Sequence, residues 1–361
     1  DTTVSAGVLR AAHNTALGTT AGNTSVASGA ALELSGGIAL AAGEDITLVG
    51  TGISSGGALR NISGNNSIAG LVTLSGTTRI NSDSDTLTFD VSAGNAITGT
   101  NTAVTFAGSG NITVNDPIGT GSGTLTKDGT GTLTLTAANT YTGKTTISNG
   151  TIVVSGSGTI GNGASALDIA GTGTLDLQNT STTGTLTILA AGTGERITNS
   201  SETTSQLTTS DASSLIGEIL TSGIDVIFNN TVTLTGNTVI NSSNITFNSA
   251  VSGGTYNLDI GKSGEGAGNL TVNAEITNVG NLTVLGTTVI DEDISTVGNQ
   301  IYHGAVTVDN DEDGSAYWTL TTTNDNITFN GTLNSTSGEV NNLTFNTGGN
   351  TGTIVFGDAT A

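Results

Sequence analysis

Apolar and polar residues alternate along most of this chain. In Thr132-Leu133-Thr134-Leu135-Thr136 two leucines face one way and three threonines the other. A strand with one buried face has this period of two. Residues 87–91 (LTFDV), 231–236 (TVTLTG) and 270–276 (LTVNAEI) repeat the pattern. Each run is about five to seven residues long, the usual length of a strand. Gly, Asn or Ser lies close to each one, which predicts a tight turn. No segment holds a 3.6-residue period for long. The best helical candidate is residues 211–220, which is short for a helix without strong support.

Self-comparison shows how these strands are organised. Residues 2–10 (TTVSAGVLR) match residues 145–153 (TTISNGTIV) at an offset of 143. The same offset pairs Leu17-Gly18 with Ile160-Gly161, and residues 25–34 (SVASGAALEL) with residues 168–177 (DIAGTGTLDL). A second pattern follows: residues 244–248 and 326–330 both read NITFN, an offset of 82. Residues 227–234 (IFNNTVTL) resemble residues 301–308 (IYHGAVTV) at an offset of 74, so an insertion is expected around residues 309–317. These matches define two repeat blocks, 1–190 and 225–361, with a more polar junction at 191–224.

A short strand with one aliphatic face cannot bury that face alone. Stacked coils bury it, because each strand pairs with the equivalent strand of the next coil. Corner Gly, Asn and Ser permit the bends, where a positive φ is often needed. The fold expected is therefore all-β, a parallel β-solenoid running through both blocks. At roughly 20 residues per coil, stacked at strand spacing, the chain would make about 18 coils. The competing architecture, an array of β-sandwiches, needs aromatic-rich cores. One Trp, four Tyr and seven Phe in 361 residues are thin for that.

Composition narrows the function classes. Seven Lys and Arg against 29 Asp and Glu give a net charge of −22. That balance opposes nucleic acid and anionic membrane as partners, since both need cationic patches. After Lys262 the chain carries no Lys or Arg, while acidic residues continue to Asp358. Without cysteine there are no disulfides and no thiolate metal sites. The longest apolar runs, 38–42 and 188–191, are far too short to span a bilayer. No signal peptide and no starting Met open the chain, so a mature or excised segment is expected. An extracellular location fits this composition.

Residues 129–161 read GTGTLTLTAANTYTGKTTISNGTIVVSGSGTIG. This stretch resembles the autotransporter-associated β-strand repeat of type V secreted passengers. Its hallmarks are the alternating Leu and Thr, then Asn139-Thr140-Tyr141-Thr142-Gly143, then Thr145-Thr146-Ile147 and Gly150. The resemblance covers roughly residues 1–190, and both ends of the chain read as falling inside repeats. The later block is similar, less specifically, to filamentous-haemagglutinin-like repeats. The resemblance implies a right-handed parallel β-helix, exported across the outer membrane and displayed or released.

Candidate chemistry is sparse. Residues 309–314 (DNDEDG) hold D-x-D-x-D-G, the first half of a calcium loop, with Asp309, Asp311 and Asp313 as candidate ligands. Position twelve of an EF-hand would be Glu but is Leu320, so a true EF-hand is not expected. Asp291, Glu292 and Asp293 lie about one coil earlier and could stack beside the first cluster. A solvated acidic loop is the simpler reading; calcium is the one candidate ion, and no other cofactor is expected. His303 reads as a strand-end turn, and His13 has no visible catalytic partner. No nucleophile motif is present, so catalysis is not expected. Asn111, Asn244 and Asn326 sit in N-x-S/T contexts that composition alone supplies. The rows Thr132, Thr134 and Thr136 could form a flat ice-binding array, though ordinary outward strand positions explain them more simply. The expected role is a rigid extracellular stalk or adhesin segment. The alternatives are a self-assembling filament subunit and a carbohydrate-binding or carbohydrate-active β-helix. Expected partners are further repeats or other copies stacked end to end, and surface glycans or proteins, with no membrane insertion.

Overall fold

The structure is a computed structural model, and it describes residues 1–188, 196–201, 205–264, 266–309, 317–337, 341–349 and 351–357. Among these residues there are short strands throughout and a single 3-10 turn at Ile53–Ser55. The strand ladders are parallel, and strands stack coil on coil as a β-solenoid of about 14 turns. The chain divides into two compact units, Asp1–Thr183 and Gly184–Ala361.

In the first unit, three ladders carry inward side chains in columns. One column runs Thr24, Ile46, Val72, Ile97, Ile118. A second runs Leu32, Leu59, Ile80, Phe106, Lys127, Ile147, Ile169. The third runs Leu40, Ile68, Phe89, Val114, Leu135, Val154, Leu177. Nearly every member is buried, so each coil shares a dry, narrow core with its neighbours only.

The second unit repeats the scheme, with aromatic rings gathered in its last coils. Its columns are Val232, Val251, Ile276, Ile294, Leu320, Phe345, then Ile240, Ile260, Val284, Tyr302, Phe329, Phe356. The third is Val226, Ile245, Leu270, Thr288, Val306, Leu333. Phe329 stacks between Tyr302 and Phe356, with ring centroids 5.3 and 5.4 Å away. Residues 211–220 are not helical, since strand Ser213–Phe228 runs through them. That strand and Val232–Phe247, each 16 residues long, turn corners through register shifts at Leu215/Gly217 and Thr221/Asp225.

Most coils are longer than 20 residues, which is why there are fewer than a uniform 20 predicts: Thr2 to Thr24 is a step of 22, Ile46 to Val72 of 26 and Val72 to Ile97 of 25. Ile276 pairs with Ile294, a step of 18, and Ile294 pairs with Leu320, a step of 26. The longer step brackets residues 309–317, where the repeat offsets place an insertion. The offsets do not map strands onto the same face. Thr2 begins the first ladder of its unit, whereas Thr145 lies in the second. Asn244, inside strand Val232–Phe247, and Asn326, just before strand Ile327–Phe329, likewise belong to different ladders. What repeats is a strand and its corner, and all three faces have similar needs.

Asparagines at one corner form a ladder of their own in the second unit. Asn257 donates its backbone N–H to Asn237 Oδ1, and Asn281 donates to Asn257. Asn299 donates to Asn281, Asn326 to Asn299, and Thr353 to Asn326, all at 2.8–3.0 Å. Each side-chain amide thus continues the strand pairing around a corner where no carbonyl is placed to accept. Asn281→Ala leaves the Asn299 N–H without its acceptor, at a cost of about 1 kcal/mol. Hydrogen exchange should show the Asn299 amide opening faster in Asn281→Ala and recovering in Asn281→Asp. An unchanged rate would sink that role.

Candidate functional surfaces

The motif residues of the 125–161 region serve the scaffold. Asn139 Oδ1 accepts the Ile118 N–H at 2.9 Å, and its Nδ2 donates to the Thr159 carbonyl at 2.7 Å. One side chain therefore clamps the coils on either side. Tyr141 is fully buried with its hydroxyl 2.8 Å from Thr145 Oγ1. Burial pushes its pKa up to about 12, so it stays a neutral hydrogen-bonding group. At Gly143 a Cβ would lie 2.1 Å from the Gly123 carbonyl oxygen, which bars any larger residue.

Lys127 occupies an inward position between Phe106 and Ile147, and it is only 3% exposed. Its ammonium bends to a corner and donates to the carbonyls of Gly129 (2.7 Å), Asp128 (3.2 Å) and Asn149 (3.3 Å). Gly150 leaves room for this: an added Cβ would lie 2.8 Å from the Lys127 Nζ. Burial lowers the Lys127 pKa to about 8; neighbouring Asp128 opposes that fall and Arg79 adds to it. Burial also raises the Asp128 pKa, but hydrogen bonds from Arg79, Asn149 and the Gly129 N–H outweigh it and hold the carboxyl low. The sequence carried this signal: in Leu125-Thr126-Lys127 the alternation puts Lys on the leucine side.

On the same ladder Arg10, Glu33 and Arg60 lie side by side on three successive coils. Arg10 donates to Glu33 through Nε at 3.0 Å and Nη2 at 2.8 Å, while Arg60 Nη1 reaches Glu33 at 3.1 Å. Arg60 also pairs with Asp83 at 2.6 Å, a contact that raises the Arg60 pKa despite partial burial. Arg79 pairs with Asp128 at 3.1 Å and Lys144 with Asp168 at 2.5 Å. Five of the seven cations thus lie between residues 10 and 144; four of them pair with carboxylates of the scaffold, and Lys127 bonds to carbonyls instead.

The predicted calcium residues are placed only in part. Asp309 follows strand Val306–Val308, and its Oδ1 accepts from Thr336 Oγ1 at 2.8 Å. Asp311 and Asp313 lie outside the described residues. Ile290 pairs with Val308, so Asp291 and Asp309 hold equivalent positions on adjacent coils, the stacking anticipated from their spacing. Asp293 accepts the Thr319 N–H at 2.6 Å. Burial raises the Glu292 pKa, with Asp293, Glu275 and Asp291 adding repulsion. Among the described residues no three His, Asp or Glu side chains converge on one point. His13 Nδ1 lies 3.1 Å from Thr15 Oγ1, and His303 Nδ1 lies 3.1 Å from Asn330 Nδ2, both exposed.

The clefts that stand out are open grooves. One of about 370 Å³ is bordered by Asp45, Leu71, Val91, Asn95 and Thr98. A second, of about 330 Å³, shares Thr98 and adds Thr73, Ser75 and Thr102. In the second unit a cleft of about 270 Å³ is lined by Glu218, Val239, Asp259, Lys262 and Leu285. There Lys262 pairs with Glu218, two coils back. Hydroxyls, amides and carboxylates line these grooves.

The geometry defines the class: a parallel β-solenoid of stacked short coils. Residues 125–154 match the family model of the passenger-associated-transport-repeat, and with the solenoid this fits an autotransporter passenger repeat. No curated protein and no solved structure matches the chain. Among the described residues no helix is long and apolar enough to cross a membrane.

Proposed function

We propose that this chain is an extracellular segment of a bacterial surface protein, a rigid β-solenoid that spaces or presents an adhesive surface and has no catalytic role. The passenger-type repeat at 125–154 within a parallel solenoid carries this reading. Support also comes from the motif side chains, since Asn139 bonds to the coils on either side and the buried Tyr141 and Thr145 bond to each other within the core. The net charge of −22 favours a solvated, non-aggregating surface. Antibody against the chain should label intact cells of the source bacterium expressing the full protein. Labelling seen only after permeabilisation would overturn the extracellular assignment. For adhesion, the purified chain should bind glycan- or protein-coated surfaces without releasing products from them.

A further inference from the structure

We propose that the third face of the first unit is an ice-binding surface, recognising the ordered water lattice through a grid of threonines. This goes beyond the scaffold and adhesive reading and rests on one ladder. Its strands are Asn66–Ile68, Thr86–Phe89, Asn111–Val114, Thr132–Leu135, Thr151–Val154 and Thr174–Leu177. Their outward positions form two rows. One is Thr86, Asn111, Thr132, Thr151, Thr174; the other is Ser67, Thr88, Thr113, Thr134, Val153, Asp176.

Four features point to an ordered ligand. Pairing runs through these strands without a register shift. Hydroxyls therefore recur at about 4.8 Å between coils and about 6.7 Å along each strand, a grid close to oxygen spacings in ice that is interrupted at Asn111, Val153 and Asp176. Threonine is stiff at χ1, so the grid is preorganised and little side-chain entropy is lost on binding.

The hydroxyls are also free. Those of Thr86, Thr88, Thr113, Thr132, Thr134, Thr151 and Thr174 make no hydrogen bond to protein among the described residues. Corner threonines differ: Thr136 and Thr142 donate to the carbonyls of Asn115 and Gly121. Finally, the strands of this face are nearly uncharged in a strongly acidic protein, with exposed Asp85 and Asp90 at the ends of one of them. Its strands carry no cation, and the one carboxylate, Asp176, is buried and accepts from Gln178 Nε2 at 2.9 Å. A charged side chain would impose its own hydration shell on the water lattice.

Ice-affinity partitioning of the purified chain tests this, with Thr113→Lys, Thr134→Lys and the double variant beside it. Thr271→Lys, on an outward position of the second unit, is the control. Circular dichroism melting establishes that each variant keeps the fold. The chain and the control should be taken into slowly growing ice, and the double variant should lose that uptake. Exclusion of the wild-type chain from ice would overturn the proposal, as would equal uptake by the folded double variant. Retention on insoluble cellulose or chitin without uptake into ice would assign the face to a polysaccharide instead and equally overturn it.

Discussion

Phe329→Ala is expected to lower the unfolding free energy of the second unit by about 3–5 kcal/mol, the cost of emptying a well-packed aromatic site. The residue is fully buried. It stacks on Tyr302 and Phe356 and meets Phe345 edge-on at 5.7 Å. Removing it opens a cavity that a narrow core cannot close, because the backbone spacing is set by the ladder hydrogen bonds. Coils contact only their neighbours, so damage should be local. Urea unfolding followed by hydrogen exchange should show lost protection centred on strands Gln300–Tyr302, Ile327–Phe329 and Ile354–Phe356. Protection in strands such as Thr86–Phe89 of the first unit should persist. A loss below about 1 kcal/mol would mean that the ring stack does not organise these coils.

Lys127→Met should change how stability depends on pH. Lys127 titrates near 8 in the folded chain, below the ordinary 10.5. Between these values the unfolded state binds more protons than the folded state, so stability rises with pH across that window. Below pH 8 the ammonium is charged in both states and its desolvation opposes folding; above 10.5 that cost is gone. The wild type should therefore gain on the Met variant by up to about 3 kcal/mol between pH 8 and 10.5. At pH 7 the Met variant should be the more stable, since Met fills the column between Phe106 and Ile147 without burying a charge. Burial raises the pKa values of Tyr141 and Tyr302, which lowers stability above about pH 10 in both proteins and cancels in the difference. Denaturant unfolding at pH 7, 8, 9 and 10 measures it. A difference that stays flat with pH would show that Lys127 is not held as a buried cation.

Much of the architecture was legible because strand parity is local. The alternation in residues 132–136 places Leu133 and Leu135 inward and leaves Thr132 and Thr134 partly exposed, as it predicts. The passenger-type motif was likewise read from consecutive residues. Less legible was what its residues do. Asn139 bonds to Ile118 and Thr159, about one coil away on either side, and no spacing rule discloses those partners. The Lys127 site needed three corner carbonyls, which exist only once two coils are stacked. The alternation in 211–220 was obscured by a register shift, since a bulge adds a residue and breaks the period of two.

By itself, then, the sequence determined that the chain is a parallel solenoid with Val, Ile and Leu inside and Thr outside. Period-two patterning and repeated strand–corner units are properties of neighbouring residues. Only the tertiary structure decided which strands share a face, because corner lengths vary and a sequence offset does not count whole coils. Thr2 and Thr145 match in sequence but stand on different ladders, while Thr88, Thr113 and Thr134 align in space at unequal steps. Surface function belongs to that alignment, since a ligand meets side chains that are adjacent across coils.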